Sequence, residues 1–144
     1  MASRAPGSRG GSDRVSILLV EDTDIVRRST HELLEAVGCG VSVAQDGPTA
    51  LAQFAARPEA FDVVLLDLTL PGMTGLETLR GLEALDPDVR VVLTSGYRLE
   101  ATEEVTSDRV VFLPKPFVMD ELLACIDGLM GPPDTESTGE VDAD

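Results

Sequence analysis

Asp62-Val63-Val64-Leu65-Leu66-Asp67-Leu68-Thr69-Leu70-Pro71-Gly72-Met73-Thr74-Gly75 is an apolar run of strand length that ends in a carboxylate. A Pro-Gly turn and a helix start follow it. An unpaired carboxylate in the middle of a buried strand carries a heavy desolvation cost. At the strand's C-terminal end the same group can face a solvent-filled crevice, where open α/β sheets place their ligands. Asp67 is therefore the first candidate for chemistry.

Outward from this stretch the chain alternates between two patterns. Residues 15–20 form a nearly all-apolar run, as expected of a strand buried on both faces, and end in Glu21-Asp22. Residues 23–37 read as a helix, with Val26, Leu33 and Val37 inward, Arg27 and Arg28 outside, and Gly38 as the stop. A second strand spans 40–44. Gly47-Pro48 opens a helix with Leu51, Phe54 and Ala55 on one side, and Pro58 ends it. The third strand covers 61–67. Thr74 and Glu77 have capping-box spacing and start a helix through Leu76, Leu79 and Leu82. Strand four spans 89–94, a short polar helix 97–107, and strand five 109–113. The last helix, 118–130, turns Leu122, Leu123, Ile126 and Met130 inward. Five strands alternating with five helices demand an α/β fold: a parallel sheet, doubly wound, with helices on both faces.

The bulk numbers narrow the function. A chain of 144 residues, 43% hydrophobic, is one domain with some tail. Residues 1–13 read as a flexible leader or linker, 14–130 as the folded unit, and 131–144 as a disordered acidic tail. The leader lacks the apolar stretch of a secretory signal, and no apolar run approaches the roughly 18–20 residues of a membrane span. A net charge of −15 repels a phosphate backbone and argues against nucleic acid. Cys39 and Cys125 sit among apolar neighbours without metal-ligand spacing, and read as small buried hydrophobes in a reducing compartment, the cytoplasm. His31, the single histidine, reads as an ordinary helix-face residue.

All strands of a parallel sheet point the same way, so their C-terminal ends share one edge. Glu21 and Asp22, then Asp67, then Thr94 and Ser95, then Lys115 stand at those ends. Close carboxylates repel one another unless a cation lies between them, and hard oxygen ligands favour Mg²⁺ or a similar ion. A carboxylate can also be a nucleophile, while a metal, an ammonium and a hydroxyl stabilise phosphoryl oxygens. The combination suits phosphoryl transfer.

The motifs at these ends are Leu18-Leu19-Val20-Glu21-Asp22, Val64-Leu65-Leu66-Asp67-Leu68-Thr69-Leu70-Pro71-Gly72-Met73-Thr74-Gly75, Val92-Leu93-Thr94-Ser95-Gly96-Tyr97 and Phe112-Leu113-Pro114-Lys115-Pro116-Phe117. In order and spacing they resemble the receiver domain of bacterial two-component response regulators, over residues 14–130. The resemblance implies a flavodoxin-like (βα)5 fold with strand order 2-1-3-4-5. It implies Asp67 as phosphoacceptor, Asp22 as an Mg²⁺ (or Mn²⁺) ligand supported by Glu21, and the Thr69 main-chain carbonyl as a further ligand. Thr94 would hydrogen-bond the phosphoryl group and Lys115 would pair with it, across a Lys115–Pro116 bond that is commonly cis in the family. Thr94 and Phe112 match the family's switch positions, while Thr69 and Gly96 lie where it tunes dephosphorylation.

The implied activity is Mg²⁺-dependent transfer from a histidine kinase or phosphotransfer protein to the chain's own Asp67, followed by slow dephosphorylation. Output would go through a protein target at the surface of the fourth helix, fifth strand and last helix. The alternative is a phosphorylation-independent docking module, against which the full set Asp22, Asp67, Thr94 and Lys115 argues. A haloacid-dehalogenase-like phosphohydrolase would want a second Asp two residues after the first, where Thr69 stands. The wording Leu93-Thr94-Ser95-Gly96-Tyr97 and Phe112-Leu113-Pro114-Lys115-Pro116-Phe117 in the third and fourth motifs is similar to receivers of hybrid histidine kinases, so a stand-alone receiver and a hybrid-kinase receiver both remain open.

Overall fold

The Val/Leu runs become the sheet. The computed structural model describes residues 14–96 and 107–131. Its strands are β1 (Ser16–Val20), β2 (Gly40–Ala44), β3 (Val63–Asp67), β4 (Val91–Ser95) and β5 (Val110–Pro114), all parallel, in the order β2-β1-β3-β4-β5. The described helices are α1 (Asp24–Ala36), α2 (Gly47–Ala56), α3 (Gly75–Leu85) and α4 (Met119–Met130), with a 3₁₀ turn at Pro58–Ala60. The expected leader, the tail beyond Gly131 and residues 97–106 of the expected short helix lie outside the described residues.

Strand side chains alternate between two cores. Leu18, Val20, Val64, Leu66 and Leu93 pack with Ala50 and Phe54 of α2 and Leu79 and Leu82 of α3. Ile17, Leu19, Val63, Leu65 and Val92 pack on the other face with Leu34 of α1 and Leu122, Ile126 and Leu129 of α4. Each fully buried Leu of this kind contributes about 1.5–3 kcal/mol. Cys39 is buried and Cys125 half-buried, both as free thiols.

Several expected boundaries and faces shift. β3 begins at Val63 rather than 61, because the 3₁₀ turn occupies Pro58–Ala60 and the Asp62 carboxylate accepts the Ser16 N–H at 2.8 Å. Thr74 caps α3 as its spacing predicts: its hydroxyl accepts the Glu77 N–H and the Glu77 carboxylate accepts the Thr74 N–H. Leu76 of α3 and Ala55 of α2 face out, leaving Leu79 and Leu82, and Ala50 and Phe54, to bury.

The largest correction concerns α1. Val26, Leu33 and Val37 are exposed, and Leu34 is the residue the helix buries. Leu34 shares its face with the half-buried Arg27, Thr30 and His31, so the face that meets the sheet is the more polar one and apolar periodicity points to the other. Arg27, expected to point outward, folds back on the loop before its own helix because unpaired carbonyls lie there.

Candidate functional site

The strand ends converge as parallel pairing requires. β1 and β4 flank β3, and Asp67 lies in register with Thr94. Glu21 follows β1 directly and its N–H donates to Ala44 of β2 at 3.0 Å, so the acidic pair emerges at the sheet's edge beside β3. One carboxylate oxygen from each of Glu21, Asp22 and Asp67 lies within 4.8 Å of the others. Glu21 and Asp67 are buried, and Asp22 is the more open of the three.

Lys115 enters this cluster from the end of β5. Its Nζ donates to Glu21 Oε1 at 2.9 Å and to Asp67 Oδ2 at 3.1 Å, and the Lys115–Pro116 bond that follows is cis. Its N–H donates to Ser95 O at 2.9 Å, which ties β5's end to that of β4. Burial of Lys115 by itself lowers its pKa. The hydrogen bonds and charges of Glu21 and Asp67 outweigh it, and the ammonium is held above its ordinary value. Burial pushes the Glu21 carboxyl up, while the Lys115 ammonium and the Thr23 N–H pull down and the Asp67 charge pushes up again; the net direction is up.

The loop after β3 is built around Asp67. The Thr69 N–H donates to Asp67 Oδ1 at 2.8 Å, which fixes the carboxylate, while the Leu68 N–H donates to Thr94 O at 2.8 Å. Gly72 turns the chain at φ +69° and Gly75 brings it back. A Cβ on Gly75 would sit 2.3 Å from Leu68 Cα and 2.7 Å from Asp67 O, so only glycine permits this closure. Neither Gly75's close approach nor the buried Asp62 at the strand's other end was anticipated. The apolar-run-then-carboxylate pattern reports on the strand's C-terminal end and is silent about backbone proximity.

Of the anticipated residues, Glu21, Asp22, Asp67, Thr69, Thr94 and Lys115 share this one edge. Phe112 stands apart. It lies on β5 opposite Leu93, half-buried against the core under α2 and α3. Ser95 is buried in β4, and Gly96 borders open space. His31 lies on α1 with Nε2 3.0 Å from the Glu35 carboxylate.

A chain with this site matches a known family: residues 17–127 fit the sequence model described as the response regulator receiver domain. It belongs to that family.

Among curated relatives of this receiver, the response regulator MprA of Mycolicibacterium vanbaalenii is 38% identical over 125 residues, covering 81% of the chain and 50% of the relative. The sensor kinase CckA of Brucella abortus is 33% identical over 117 residues, covering 80% of the chain and 12% of the kinase. The receiver thus spans half the length of one relative and a small part of the other. Among solved structures, the receiver domain from the hybrid histidine kinase CckA superposes with a TM-score of 0.69 at 30% identity, covering 81% of this chain and 99% of that one. A response regulator receiver protein from Sinorhizobium medicae shares the fold with a TM-score of 0.75 at 23% identity, covering 84% and 98%. The family works with histidine kinases or phosphotransfer proteins and holds Mg²⁺ in an acidic pocket; here three carboxylates form such a cluster. Among the described residues, no helix is long and apolar enough to cross a membrane.

Proposed function

We propose that this receiver accepts a phosphoryl group on Asp67 from the phosphohistidine of a kinase or phosphotransfer protein, with Mg²⁺ or Mn²⁺ as the required ion. The observation that carries this reading is the meeting of Glu21, Asp22, Asp67 and Lys115 at one edge of the sheet. Three hard carboxylate oxygens in one crevice suit such a cation, with Asp22, Asp67 and the Thr69 carbonyl as its ligands and Glu21 in support. When bound, the cation supplies positive charge for the phosphoryl oxygens.

The chain's own residues do the rest. The Thr69 N–H holds one Asp67 oxygen and leaves the carboxylate oriented for attack. An Asp67 oxygen bonds to phosphorus as the P–N bond to the donor imidazole breaks, and the imidazole leaves with the electron pair and takes up a proton. Lys115 already sits at 3.1 Å from Asp67, so pairing with the new phosphoryl oxygens needs little reorganisation. Thr94, in register beside Asp67, offers its hydroxyl to the same group. Its movement toward the phosphoryl group, with rotation of Phe112, carries the change along β5 to a protein target. Gly96 presents no side chain to orient a hydrolytic water, and slow self-dephosphorylation ends the signal.

The donor needs a landing surface. A groove of about 510 Å³ lies between Val26, Thr30 and Leu33 of α1 and the segment Lys115–Phe117, so apolar surface adjoins the acceptor's own lysine. We assign it to the phosphohistidine-bearing protein. A cytoplasmic location fits the two free cysteines.

Incubation with Mg²⁺ and a small phosphodonor, read by intact mass, tests the chemistry. The expected product is a single phosphoryl adduct with the lability of an acyl phosphate, absent in Asp67→Asn and after chelation. An adduct that survives Asp67→Asn would sink the assignment.

A further inference from the structure

Arg27 makes contacts that the phosphoacceptor reading does not use. It lies in the first turns of α1, yet its side chain is 16% exposed and turns back over the loop between β1 and α1. Nη1 donates to the Glu21 carbonyl at 3.0 Å and to the Asp22 carbonyl at 3.3 Å, and Nη2 donates to the Asp24 carboxylate. One guanidinium thus spans the consecutive residues whose carboxylates face Asp67. The planar fork reaches both carbonyls from Nη1 while Nη2 holds the Asp24 carboxylate, three acceptors in one fixed geometry that a compact ammonium on a flexible stem does not pre-organise. Its own N–H donates to Thr23 O at 2.8 Å, so the helix that carries the fork is anchored in the same loop. From the other side the Thr23 N–H donates to Glu21 Oε2 at 3.2 Å.

We propose that Arg27 is a positioning residue for the cation-binding loop: it fixes the backbone path of Glu21 and Asp22, so that their carboxylates meet Asp67 at ligand spacing. This rests on the reading of the acidic cluster as a cation site. Arg27 does not touch the cation or the phosphoryl group, and acts through the two carbonyls. Its charge also sits against a loop crowded with carboxylates, where it offsets part of their mutual repulsion. Arg28, the next residue, is exposed and makes neither carbonyl contact, so it provides a charge-matched control.

The test is calorimetric titration of the full chain with Mg²⁺, beside thermal melting in chelator. Outer-shell partners of metal sites typically control affinity by about 10–100-fold. Arg27→Ala is expected to weaken Mg²⁺ binding by about tenfold or more, while Arg28→Ala stays within about twofold of the wild type. Arg27→Lys keeps the charge and much of the stem but loses the rigid fork that holds both carbonyls and the Asp24 carboxylate at once, and is expected to weaken binding as well. At saturating Mg²⁺ the maximal rate of phosphorylation by a small phosphodonor should recover, so that the loss appears in metal affinity. Full affinity in Arg27→Ala or in Arg27→Lys, or an equal loss in Arg28→Ala, overturns the bridging role. Should Arg27→Ala fail to fold, as the chelator melt would show, Arg27→Lys decides the question alone. A wild-type chain that binds no Mg²⁺ overturns the cation site itself and this inference with it, an outcome distinct from normal binding that ignores Arg27.

Discussion

Glu21 and Asp67 are carboxylates with almost no contact with water, and Lys115 stands between them. Removing two anions from solvent costs several kcal/mol each, and one shared cation offsets that only in part. The raised Glu21 carboxyl records the imbalance. Because its folded pKa is above the unfolded one, the folded state binds the proton more tightly. Stability therefore falls as pH rises from about the ordinary glutamate value of 4.5 through the raised folded value, and stays lower above it. In metal-free solution Glu21→Gln is accordingly expected to raise the denaturation midpoint at neutral pH, with the advantage shrinking as pH falls toward and below that window. Lys115 has linkage of the same sign, in a higher window. Its raised ammonium stabilises the fold at every pH below its ordinary value of 10.5, and that contribution is lost only as pH rises through the folded pKa. Melts of the wild type and Glu21→Gln across this range, in chelator, check the point; a Glu21→Gln chain less stable at neutral pH would show that the Lys115 pair outweighs burial.

At the scale of elements, what could be read in advance followed from the environment each element meets. The strands were legible because both faces are buried, so Val63 through Leu66 or Val91 through Leu93 must be apolar without interruption. The α3 start was legible because Thr74 and Glu77 cap it locally. The carboxylates and Lys115 were legible because parallel strands bring their C-terminal ends together. The packed face of α1 was not, since Leu34 is buried beside Arg27, Thr30 and His31 while the more apolar Val26, Leu33 and Val37 stripe stays exposed. Arg27's return to the loop and Gly75's closure depend on backbone proximity that no periodicity encodes. The misread stripe has a functional consequence: Leu33 is 52% exposed beside the groove that reaches Lys115. Leu33→Asp should leave folding and labelling by a small phosphodonor near wild type. Transfer from a phosphohistidine protein should fall by about tenfold or more, the loss of roughly 1.4 kcal/mol of docking energy. Equal loss with both donors, or loss with neither, would remove α1 from the docking surface.

On the scale of the whole molecule, the site draws on four strands, and anything that binds it couples to global stability. The loops bearing Glu21 and Asp22 and bearing Asp67 follow β1 and β3, so a cation that needs both together binds the folded chain and not the unfolded one. At a hundredfold excess over its dissociation constant such a ligand stabilises by about 2.7 kcal/mol. In a domain of this size that is a rise on the order of 10 °C in the melting midpoint. The chain's net charge of −15 complicates the measurement, because any salt relieves self-repulsion and raises stability without a specific site. Ionic strength must therefore be matched with NaCl, so that Mg²⁺ is compared with an equal screening background. Under that condition the wild type is expected to gain several degrees from Mg²⁺, while Asp22→Asn and Asp67→Asn gain little. A gain of equal size in both variants would assign the effect to screening of the whole surface. A gain in the wild type alone, reversed by chelator, would locate it at the strand ends, where the fold collects its carboxylates.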